Sequence, residues 1–150
     1  MPIPYPASIG FLLAAAFLLA GLLTGVWKYT AMRQDESARA PVYVDIAHRA
    51  SLLYAFSMGL MSLMTLRTSL SASLQIGLLV ALALSFGFAV SSYVAHGLLR
   101  DTENQFRKPH MLGKHELHGA VADWIMVLKG GIELIAVGWL TFGFWQMLPA

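Results

Sequence analysis

Four long stretches almost free of charge set what this chain can fold into: residues 9–27, 48–66, 74–99 and 117–148. A helix needs about 20 apolar residues to cross a bilayer, and all four stretches come close to or exceed that length. Charged residues make up only 12% of the 150-residue chain and hydrophobic residues 57%, whereas a soluble domain carries about a quarter charged residues. The reading is an all-α integral membrane protein of one domain with four spans in contact with the lipid bilayer. The first stretch is not a signal peptide by composition, because no Lys or Arg precedes Lys28. Pro2, Pro4 and Pro6 are expected to keep the residues before it out of a helix.

The flanks orient the spans. The connector after the first span carries Lys28, Arg33, Arg39 and Arg49, and the one after the third carries Arg100, Arg107, Lys108 and Lys114. The turn between spans two and three has Arg67 alone, and the termini have none. Basic residues stay on the cytoplasmic side. Both long connectors are therefore expected in the cytoplasm and both termini outside it, as multi-pass spans of a bacterial-type cytoplasmic membrane. Short loops make consecutive spans antiparallel neighbours in a four-helix bundle. Small residues on the third span (Gly77, Ser85, Gly87, Ser91, Ser92) are expected to allow close helix packing.

Composition removes several classes of chemistry. No cysteine is present, so disulfides, thiolate zinc sites, iron–sulfur clusters and thiol catalysis are excluded. A net charge of +2 is too small to suggest nucleic acid as a partner.

The topology gathers the five histidines. His48 opens the second span, His96 lies a turn before the third span ends, and His110, His115 and His118 lie in or just after the second connector. All five are expected in one cytoplasmic layer near Asp45, Arg49, Tyr93 and Asp123. Neutral imidazole is a common ligand for iron, copper and zinc. Histidine is also tolerated at headgroup depth without a role, which is the plainer reading of the three in the connector. His115 and His118, three apart, could share a helix face. His48 and His96 stand out because apolar helix bounds them.

Lys129 and Glu133 form a second constellation, four apart near the middle of the fourth span. Charges at that depth face a bundle interior, a cavity or a partner, and this spacing lets each compensate the other. A structural ion pair is the plainer reading, a proton or substrate path the functional one. Gly130 and Gly131 beside them would permit close approach of a helix or planar ligand. Met58, Met61 and Met64 could line a pocket with Tyr54, but at this spacing plain packing explains them.

The order of features resembles the membrane-bound styrene oxide isomerases. These are small, cysteine-poor, four-span proteins with a polar connector and then an Ala-His pair, here Ala47-His48. The resemblance implies that His48 is the axial ligand of a haem b held between subunits of a homotrimer. It also implies that the iron acts as a Lewis acid on an epoxide oxygen, opening a small apolar substrate to an aldehyde. A tyrosine on span three would orient the substrate; Tyr93 follows His48 by 45 residues. Ser92-Tyr93-Val94-Ala95, then a polar loop containing Asn104, is similar as well. The family has an asparagine six residues after its histidine, where this chain has Tyr54. On this reading His48 is the metal ligand, with Arg49 and His96 also at the cofactor. Tyr93 and Tyr54 are then the catalytic candidates.

Two readings stand beside it. In one, His48 pairs with His96 or His118 as a six-coordinate electron-transfer haem. In the other, the chain is an accessory subunit of a larger membrane complex, and Lys129 and Glu133 pair with a partner.

Overall fold

A computed structural model describes residues 3–149. It consists of four long helices: α1 (Tyr5–Gln34), α2 (Val42–Met64), α3 (Ala72–Leu99) and α4 (Gly119–Trp145). A two-stranded antiparallel hairpin, β1 (His110–Leu112) with β2 (His115–Leu117), precedes α4. Helices α1, α3 and α4 are long and apolar enough to cross a membrane. α2 has the length, at 23 residues, but not the hydropathy. Asp45, His48, Arg49, Ser51 and Ser62 dilute it, and Ser51 and Ser62 are fully buried.

The helix ends differ from the sequence expectation for local reasons. α1 begins at Tyr5 rather than near residue 9, with Pro6 in its first turn, where a missing N–H costs nothing. Pro2 lies outside the described residues. α1 also runs on through Lys28 and Arg33, because leaving the apolar region does not break backbone hydrogen bonds. α2 begins six residues before His48, just after Pro41. His48 therefore sits nearly two turns inside its helix and does not open it. Ser71 caps α3, accepting from the Leu74 amide. Arg100, in the left-handed conformation at φ 51°, ends it. The second connector, expected to be irregular, holds the hairpin. Its two-residue turn places Gly113 at φ 62°, the position such turns reserve for glycine.

Close approach occurs between α1 and α2, and on α3 at Gly97 rather than at Gly77 or Gly87. A Cβ on Gly10 would lie 2.9 Å from Ser62 Cβ, and one on Gly21 would lie 2.6 Å from Leu52 Cδ2. Gly77, Gly87, Gly130 and Gly131 face nothing within 4 Å, so the packing role expected of them falls to Gly10 and Gly21 of α1, with Gly97 of α3 and Gly143 of α4. Gly10→Ala should accordingly destabilise the protein by about 1–3 kcal/mol, since the Ser62 side chain and its helix must yield. Thermal unfolding in detergent measures this, with Gly77→Ala as a comparison that is not destabilised.

The core lies where α1, α2 and α3 meet, around Phe17, Met58, Leu79, Leu82 and Phe86, with Leu140 of α4 added. Met58 and Met61 are packing residues in it. Tyr54 stacks on Phe86 with ring centroids 4.0 Å apart, and Phe17 meets both rings edge-on. α4 is attached more sparsely: only 11% of its most apolar stretch is buried. Near its C-terminus the Ser69 amide donates to the Gly143 carbonyl.

Candidate functional site

The polar side chains gather in three places. The first is His48, in the groove between α1 and α2. Its Nδ1 lies 2.8 Å from the Gly21 carbonyl. A carbonyl only accepts, so Nδ1 carries a proton, and in the neutral ring the lone pair is on Nε2. Nε2 makes no hydrogen bond among the described residues. The ring rests on Gly25, where an added Cβ would lie 2.9 Å from Cε1 and 3.0 Å from Nδ1. One turn away, Asp45 pairs with Lys28 of α1 at 2.6 Å and forms a looser ion pair with Arg49 at 3.5 Å. The hydrogen bond from Lys28 holds the Asp45 carboxyl below its usual range, against the opposing effect of burial. Arg49 itself is largely exposed. Leu52, Phe56 and Gly59 follow His48 along one side of α2 at helical spacing. Phe56 is exposed, and Gly59 faces open space.

The second place is inside the helix assembly. Lys129 Nζ donates to Glu133 Oε1 at 2.6 Å, and Ser85 Oγ of α3 donates to the same oxygen at 2.8 Å. Lys129 also lies 6.0 Å from the Tyr54 ring of α2. Three helices thus surround one ion pair, whose side chains are 15% and 25% exposed. The i,i+4 spacing announced the pair. Ser85 was not legible as its third member, since it comes from another helix.

The third place is the end of α3. His96 is buried, and its Nδ1 lies 2.8 Å from Asp101 Oδ1. Asp101 accepts from the Gly113 amide through its other oxygen, at 2.5 Å. Burial alone would raise the Asp101 pKa, but the hydrogen bonds from Gly113 and His96 outweigh it and hold the carboxyl low. Tyr43 lies over His96 with centroids 4.9 Å apart and stacks on Tyr93 at 6.1 Å. Its hydroxyl accepts from the Gln105 amide. Asp101 was missed in the sequence because it lies beyond the helix. Only the left-handed turn at Arg100 brings it back to His96.

The five histidines do not form one cluster. His110 is buried and donates through Nδ1 to the Gln105 carbonyl, with Nε2 unpartnered. His115 is exposed on β2. His118 caps α4, its Nδ1 accepting from the Ala120 amide at 3.3 Å. His115 and His118 therefore share no helix face. No group of three or more potential metal-ligating side chains occurs among the described residues. Asp123 is exposed on α4. His48 and Tyr54 share α2 but, six residues apart, point about 120° from each other. Tyr93 lies on the Tyr54 side: it is within electrostatic reach of that hydroxyl.

Comparison with protein-family models, curated proteins and solved structures finds no match for the chain.

Proposed function

We propose that the chain is a haem-binding integral membrane protein with His48 as the iron ligand, acting as an isomerase on a small apolar epoxide. The observation that carries this is the His48 hydrogen bond to the Gly21 carbonyl. Metal-bound histidines donate their other ring nitrogen to a carbonyl or carboxylate, which fixes tautomer and orientation. His48 has that arrangement, with Nε2 as the available donor atom. Exposed Phe56 and Gly59, which faces open space, offer an apolar surface for a flat ligand along the same side of α2. Arg49 supplies a guanidinium for a haem carboxylate at the polar end.

In this reading the helices form an antiparallel four-helix bundle in a bacterial-type cytoplasmic membrane. The two long connectors are cytoplasmic and both termini lie outside. Ferric haem supplies a Lewis acid for an epoxide oxygen. Tyr93 and Tyr54 would donate phenolic hydrogen bonds to that oxygen and orient the substrate. They face away from the His48 groove of their own chain, so a shared site takes His48 from one copy and the tyrosines from its neighbour. The resemblance to the styrene oxide isomerases implies a haem held between subunits of a homotrimer, which is compatible with this. A substrate that partitions into lipid accounts for placing the reaction in a membrane.

The test is turnover of an aryl epoxide by haem-loaded protein, followed as aldehyde formed without added oxidant. Aldehyde should appear, and Tyr93→Phe should lower kcat roughly a hundredfold, as loss of a donor to a developing oxyanion does. No aldehyde from haem-loaded protein would remove the isomerase and leave haem binding standing.

The electron-transfer reading has less support, because Asp101 and Tyr43 enclose His96. The accessory-subunit reading gains little from Lys129 and Glu133, which pair with each other and with Ser85.

A further inference from the structure

A cavity of about 520 Å³ opens beside the end of α3, apart from the His48 groove. Arg100, Arg107 and Lys108 line it, and none of the three makes an ion pair among the described residues. Its wall includes His96, held by Asp101 and covered by Tyr43. The two acids of the lining are not equivalent. Both oxygens of Asp101 are already engaged by His96 and the Gly113 amide, so its charge is spent on the protein. Glu103 is the one acid left to offset three cations, and it is exposed.

The volume falls within the range of small-molecule sites. It is too large to be a packing defect, and its lining is about half polar. It joins the start of α2 to the end of α3, which is headgroup depth under the span assignment. Two guanidiniums and an ammonium around one cavity match the oxygens of a phosphate group, which arginine holds by paired N–H bonds.

We propose that this cavity binds a phosphate monoester, carried either by an anionic lipid headgroup or by a soluble phosphate compound. Arg107 and Lys108 are its main contacts, with Arg100 as the third cation of the lining. The site is independent of haem.

Calorimetric titration of the full chain in phosphate-free, non-ionic detergent tests it, using inorganic phosphate and, separately, dioctanoyl phosphatidate. Wild type should bind at least one of these probes. Arg107→Gln/Lys108→Gln should weaken that binding at least tenfold, which corresponds to about 1.4 kcal/mol. Binding of phosphatidate alone assigns the site to a lipid headgroup, and comparable binding of both assigns it to the phosphate group itself. Both substituted side chains are exposed, so helical circular dichroism should not change. If the double variant loses helicity, Lys108→Gln alone provides the comparison. Absence of binding by wild type, or equal binding by wild type and variant, overturns the proposal.

Discussion

Replacing Lys129 with Met should destabilise the protein by about 3 kcal/mol, the low end of the cost of removing one partner of a buried ion pair, because this pair is partly buried. Glu133 would keep Ser85 as a donor but lose its only countercharge among the described residues. Replacing both charges, as Lys129→Met/Glu133→Gln, should cost much less than the sum of the single changes, because no uncompensated charge remains. A double-mutant cycle on unfolding in detergent or bicelles reads the coupling, expected at about 1–3 kcal/mol. If the two charges instead behave like a solvent-exposed pair, each single change will cost under about 1 kcal/mol. The ion pair would then have no part in fixing α4 against α2 and α3. The distinction matters because α4 is sparsely buried, and the contacts of Lys129 and Glu133 with Ser85 and Tyr54 are its polar attachment near mid-helix.

Gly25→Ala should weaken haem binding by roughly 10- to 100-fold, the range seen when the support of a metal-ligating histidine is removed. The new methyl would fall 2.9 Å from His48 Cε1, closer than carbon atoms tolerate. Either the ring swings off the Gly21 carbonyl or α1 retreats from α2. In both cases Nδ1 loses its acceptor, and with it the tautomer that leaves Nε2 available. Haem titration of the apoprotein gives the affinity. Gly77→Ala, a helical glycine facing open space, should leave it unchanged and stabilise the fold slightly. An unaltered affinity in Gly25→Ala would mean that the groove does not orient the imidazole.

Much of the helical layout was legible because apolar runs and helices coincide in a chain like this. The end of α3 follows the apolar run to Leu99, where Arg100 turns left-handed. The ends of α1 and the start of α2 were not legible in the same way. Hydropathy reports where lipid ends, whereas Tyr5, Arg33 and Val42 are helical because their backbone bonds continue into polar surroundings. The hairpin escaped notice because three-residue strands show no alternation to read, although Gly113 marks its turn. At the sites, residues that announce themselves within one helix were visible: His48 by its position, Lys129 and Glu133 by their spacing. Their partners Gly21, Gly25 and Ser85 come from other helices. Only helix rotation decides those pairings, and one sequence does not encode it visibly. The same rotation separates His48 from Tyr54, which had seemed neighbours along α2.

The central claim is that His48 is an iron ligand, and one visible absorption spectrum tests it most directly. Protein expressed with haem supplied and purified in detergent should show a Soret band with stoichiometric haem. His48→Ala should lose the band while keeping its helical circular dichroism. His96→Ala should retain it, because His96 is committed to Asp101. A colourless wild-type protein, or a band that survives His48→Ala unchanged, would contradict the account.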